Sequence, residues 1–156
     1  MTKREFQILA DERRDEALLE CAYEFANEEY SLFDDSYLDA PVVIQNVLGA
    51  LSLHYEVLNG GFPQFYFNEY NQLGIDFEKV FRAVNLDNVA DLYLNAQECF
   101  GKIKGTMPDR EDLNAFSQWY DGNPLEQFDC EYGALQFEIE DAIVKYIKDN
   151  ISYFGE

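Results

Sequence analysis

Apolar positions recur at helical spacing along nearly the whole chain. Thr2 and Glu5 have the spacing of a capping box. Leu18, Cys21, Ala22 and Phe25 then continue a three-and-four period, which predicts one long helix from Thr2 to about Tyr30. An Asp- and Ser-containing loop, residues 31–39, follows. Pro41 suits the first turn of a second helix. In that helix Ile44, Val47, Leu48, Leu51, Tyr55 and Leu58 form one stripe, and no Asp, Glu, Lys or Arg occurs from Ala40 to Tyr55. This predicts the central, most buried helix. Asn59-Gly60-Gly61 ends it, because glycine takes left-handed backbone conformations at little cost.

Pro63 opens a short aromatic helix, Gln64-Phe65-Tyr66-Phe67. Phe77, Val80, Phe81 and Val84 mark a fourth helix. Val89, Leu92, Tyr93, Ala96 and Phe100 mark a fifth, stopped by Gly101. Residues 106–109 open a sixth with Leu113, Phe116 and Tyr120 inward. After the break at Asp121-Gly122-Asn123-Pro124, Tyr132, Leu135, Ile139, Ala142 and Tyr146 place a last helix running to about Ile151. No alternating strand pattern and no internal repeat interrupts this. The expectation is a single all-α domain over residues 1–156, with six or seven helices.

Charge changes the picture. The 156 residues carry 31 acids against 11 Lys and Arg, a net charge of −20. Aromatics at 16% separate the chain from a disordered acidic tail. Such a balance disfavours binding to nucleic acid and to anionic membranes, since both present phosphate. No apolar run has the length of a membrane span, and the first residues do not read as a signal peptide. Cys21, Cys99 and Cys130 are odd in number and far apart, so they read as reduced thiols in a cytoplasmic protein. The excess is also segregated. Asp15 to Glu78 holds 13 acids and Glu111 to Val144 holds 9, neither stretch with a Lys or Arg. Soluble surfaces ordinarily intersperse the signs.

Motifs for chemistry are sparse. His54 is the only histidine and sits in the apolar second helix, where a hydrogen-bonded core or edge residue is the expectation. No Glu-x-x-His pair, zinc spacing or glycine-rich phosphate loop occurs, so no catalytic residue, metal or cofactor is expected. Residues 109–114 echo a calcium loop but lack its glycine and its final Glu, and read as an acidic helix start.

What is present is a carboxylate ladder. Glu12, Glu16, Glu20, Glu24 and Glu28 recur every four residues. On one continuous helix they would rise about 6 Å per step and span about 24 Å. Neighbouring phosphates on a DNA strand lie about 7 Å apart through space, a commensurate spacing. Like charges four residues apart each destabilise a helix by about 0.2–0.5 kcal/mol, so the arrangement works against local stability. A solvated helix face opposite Leu18 and Phe25 has the same look. Glu29, Asp34 and Asp35 extend the charge into the next loop. A second acidic set, including Glu131, Glu138 and Asp141, lies near or on the last helix. If the first and last helices share a face, two anionic rows lie side by side, as on a duplex.

The segment Asn59-Gly60-Gly61-Phe62-Pro63-Gln64-Phe65 resembles the Asn-Gly-Gly-Phe-x-Gln-Phe core of the DNA mimic protein family of small acidic bacterial domains. The final aromatic stretch, residues 146–154, is similar to that family's last helix. The likeness covers about residues 41–101 and 128–154. It implies an all-helical homodimer without enzymatic activity, whose carboxylates stand in for DNA phosphates. Read physically, Asn59, Gly60 and Gly61 supply a turn, Phe62 and Phe65 fill the core, and Gln64 and Asn68 bond to backbone around it. The alternative is a small pocket lined by Asn59, Gln64 and Tyr66, where an enzyme would keep a carboxylate site. The leading expectation is a DNA-mimic binding protein that occupies the DNA-binding surface of a basic protein such as a transcription regulator. The alternative partner is a basic toxin or nuclease, capped by an immunity or inhibitor protein.

Overall fold

The computed structural model describes residues 1–156. Nine α-helices and no strand make up the fold, so the all-α expectation holds. They are α1 (Lys3–Asp11), α2 (Asp15–Glu29), α3 (Ser36–Asp39), α4 (Val42–Phe67), α5 (Phe77–Ala83), α6 (Asp87–Ile103), α7 (Leu113–Asp121), α8 (Glu126–Ala134) and α9 (Gln136–Asp149). No helix is long and apolar enough to cross a membrane.

The helix count exceeds six or seven for identifiable reasons. The expected first helix breaks in two. Thr2 and Glu5 do form the capping box of α1. At Arg13 the backbone enters the left-handed region (φ 55°), and α2 starts in a new direction. The turn folds α1 back onto α2, so Phe6 packs edge-on against Phe25 and beside Phe154, with ring centroids 5.8 and 5.7 Å away. The expected last helix also divides, at Leu135 (φ −97°, ψ 2°). That bend lets Tyr132 of α8 and Ile139, Ile143 and Ile147 of α9 all reach the core. A further short helix, α3, forms inside the expected loop 31–39.

α4 is the central element and packs against α2, α5, α8 and α9. Ile44, Val47, Leu48 and Leu51 are buried as expected. Tyr55 and Leu58 are not: near its end the stripe runs out of the core, and Val57 and His54 take the interior positions instead. The chain breaks at Gly60 (φ −151°, ψ 18°) and Gly61 (φ 71°, ψ −178°), then resumes a helix carrying Pro63. The second of these conformations is one that only glycine adopts without strain.

Two expected boundaries move. Gly101 does not stop α6, which continues to Ile103 before a 3₁₀ turn at Lys104–Thr106. α7 begins only at Leu113, because Asp112 is its cap, accepting from the Ala115 N–H at 2.9 Å. Leu113 faces solvent, against expectation, and α7 buries no residue fully. It is held by a stack of Phe116 on Phe67, centroids 3.8 Å apart, and by Trp119 Nε1 donating to Thr106 Oγ1.

Candidate binding cleft

α2 and α9 lie against each other and leave a cleft of about 720 Å3 between their outer faces. Along its α2 side stand Asp15, Glu16, Glu20 and Glu24; along its α9 side stand Glu140 and Asp141. Leu19, Tyr55, Phe137 and Val144 supply apolar lining. Neither Lys nor Arg lines it. The nearest compensation is at one end, where Lys148 pairs with Asp15. Phe137 is 78% exposed, an unusual exposure for a phenylalanine on a regular helix.

At the floor, His54 is 1% exposed and both its ring nitrogens are engaged. Nε2 lies 3.3 Å from Glu140 Oε1, and Nδ1 lies 3.1 Å from the Tyr132 hydroxyl. An ionised Glu140 assigns the proton to Nε2, leaving Nδ1 to accept from Tyr132. Gln136 Nε2 donates to the same Glu140 oxygen at 3.0 Å. Burial pushes the His54 pKa below its usual value, and Glu140 only partly opposes it. Burial, aided by Glu140, holds the Tyr132 phenol well above its ordinary value. His54 therefore acts as a neutral pin between α4, α8 and α9, in agreement with the core or edge residue read from the sequence.

The sequence-selected carboxylates do not all meet. Glu16, Glu20, Glu24 and Asp141 line the cleft. Glu12 caps the end of α1, beyond the turn at Arg13, and so leaves the ladder. The remaining run from Glu16 to Glu28 spans about 18 Å of helix. Glu28 and Glu29 continue past the cleft to the end of α2. Asp34 accepts from the Ser36 N–H at 2.8 Å, and Ser36 holds its carboxyl below the usual range. Asp34 and Asp35 line a separate, smaller hollow with Phe33 and Leu38. Glu131 accepts from Gln127 on its own helix α8. Glu138 accepts from Asn88 of α6 at 3.0 Å and so faces away from α2. Sequence reasoning missed Asp15 and Glu140. The signal for Glu140 was the lone His54, whose second ring nitrogen needed a partner.

The Asn59–Asn68 segment serves the fold. Phe62 and Phe65 are fully buried, as expected. The Phe62 N–H donates to Asp129 Oδ1 at 2.7 Å, and Asn123 Nδ2 donates to Asp129 Oδ2 at 3.1 Å. A Cβ at Gly61 would stand 2.4 Å from Asp129 Oδ2, so glycine is needed for space as well as for φ. Burial raises the Asp129 pKa despite these two donors. Against the expectation that they bond to backbone, Gln64 and Asn68 both donate to one oxygen of Glu56, at 3.1 and 2.9 Å. A carboxylate so close outcompetes backbone carbonyls as an acceptor. Tyr66 is buried and stacked on Phe100, ring centroids 3.9 Å apart, rather than lining a pocket with Asn59 and Gln64. Nowhere do three or more His, Cys, Asp or Glu side chains converge as a metal site would require.

The family model of the DMP19-like proteins matches residues 38–150 of the chain. This corrects the likeness drawn from the Asn59–Phe65 motif, which assigned the chain to a family of DNA mimics. The motif belongs to the matched region. Comparison with curated proteins and with solved structures gives no match.

Proposed function

The chain belongs to the DMP19-like protein family, and we propose that it is a non-catalytic binding protein. It occupies the DNA-binding surface of a basic protein, its carboxylates standing where duplex phosphates would. The observation that carries this reading is the α2 row Glu16, Glu20 and Glu24, facing Glu140 and Asp141 across one cleft with no cation in its lining. The α2 row advances about 6 Å per step, near the spacing of phosphates along a strand. The net charge of −20 adds a long-range field that speeds encounter with a cationic surface. His54, held neutral between Tyr132 and Glu140, offers no free ring nitrogen to act as a general base.

The test is capture of partners at low salt on immobilised protein, beside bait in which Glu16, Glu20, Glu24 and Glu28 are replaced by Gln. A basic DNA-binding protein held by the first bait, lost from the second and released by a salt step is the expected result. The same partner held equally by both baits, or equally well at low and high salt, overturns the reading. A basic nuclease in place of a regulator would favour the inhibitor alternative.

A further inference from the structure

We infer that the α2–α9 cleft seats one face of an amphipathic basic helix of the partner. Apolar side chains of that helix enter the cleft, and Lys or Arg on its flanks meet the two carboxylate rims. This rests on the reading of a basic partner and adds which element of it docks. A phosphate mimic needs carboxylates alone. Here an apolar trough lies between the two rows, lined by Leu19, Tyr55, Phe137 and Val144. Phe137 projects from α9 at 78% exposure, more than any other large apolar side chain, and it is the most exposed of those that line this cleft. An exposed aromatic beside a formed hollow is the pattern of an anchor site awaiting an apolar partner group.

Size and charge restrict the occupant. About 720 Å3 admits several side chains but not a whole helix, so only one face enters. The lining runs from Asp15 to Glu24 on α2 and from Gln136 to Val144 on α9. The two stretches are about 12–14 Å long, a little over two helical turns. Apolar anchors four residues apart, about 6 Å along a helix, fit within that length. Glu16, Glu20 and Glu24 on one rim, and Glu140 and Asp141 on the other, require cations on both flanks of the docked helix.

The probe is a synthetic helical peptide of about 15 residues with Leu at two positions four apart and Lys or Arg on both flanks. Its twin carries Gln in place of both Leu at unchanged charge. Each is titrated calorimetrically against the full chain at about 50 and about 300 mM NaCl, where screening lengths differ. The Leu peptide is expected to bind at least about tenfold tighter than its twin at both salts. Phe137→Ser removes most of that difference and leaves the twin's affinity unchanged; the site is exposed, and circular dichroism checks that the variant folds. Glu20→Gln with Glu24→Gln weakens both peptides alike. Equal affinity of the two peptides overturns the helix-docking inference but leaves the basic-partner reading standing. A Leu preference that survives Phe137→Ser also overturns it, since the apolar contact then lies elsewhere. Failure of both peptides to bind at the lower salt overturns the helix-docking inference, while the basic-partner reading stands or falls by the capture experiment.

Discussion

Asp129 shows how one side chain holds two distant parts of the chain. Its Oδ1 accepts the first free N–H after the break at Gly61, and its backbone sits on α8. Asp129→Ala leaves the buried Phe62 N–H without a partner, at a cost of about 1–3 kcal/mol, measurable by urea unfolding. Asp129→Asn keeps an acceptor for that N–H and is expected to lose less. His54 gives a second test, because a single histidine yields a single imidazole titration by NMR. Burial depresses its pKa, so the midpoint is expected below 6.5. The sign follows: as pH falls from 6.5 toward the folded-state pKa, the unfolded chain takes up the proton first, and His54's contribution to stability is lost. A midpoint at or above 6.5 would mean that the charge of Glu140 outweighs burial. The sequence marked His54 as a hydrogen-bonded core or edge histidine from its apolar neighbours. It did not reveal the partners, because Tyr132 and Glu140 lie 78 and 86 residues away along the chain.

Among the elements, α2 carries the clearest conflict between local stability and charge. Glu16, Glu20, Glu24 and Glu28 make three consecutive like-charge pairs on one helix. Replacing all four by Gln is expected to raise stability by about 1 kcal/mol at low salt, a gain that shrinks as salt screens the repulsion. Thermal melts at two ionic strengths read it directly, and an unchanged or lowered midpoint would contradict it. α7 is the loosest element. With no buried residue of its own, it depends on the Phe116–Phe67 stack. Phe116→Ala is expected to speed amide exchange across residues 113–121 while α4 and α9 stay protected. Helix existence was legible wherever apolar spacing and a Gly or Pro signal agreed, as at Pro41 and Gly60-Gly61. The break at Arg13 carries neither signal, and at Leu135 the only one is Gly133 two residues before it, inside the last turn of α8. Both breaks are imposed by packing, which turns α1 onto α2 and α8 toward the core.

At the scale of the molecule, the two cation-free stretches of the sequence meet in space. α2 comes from the first and α8 and most of α9 from the second, and α2 packs against α9. Several cations are occupied elsewhere: Arg82 with Glu78, Asp87 and Asp91, Lys102 with Glu98, and Arg110 with Glu69. The segregation of charge was legible from residue counts alone. Its convergence on one cleft was not, because it depends on helices more than 100 residues apart in sequence becoming neighbours. Exposed Phe137 was missed for a related reason: it stands off the stripe of Leu135, Ile139, Ala142 and Tyr146, and what its face lines is decided only by the packing of α9 on α2. The central claim is that this anionic face takes the place of DNA on a cationic surface. The measurement that tests it most directly is competition, in which a captured basic partner held on the immobilised chain at low salt is challenged with short duplex DNA. Displacement of the partner in step with formation of its DNA complex is the predicted result. A partner that binds the duplex while remaining on the chain, giving a ternary complex, would contradict it.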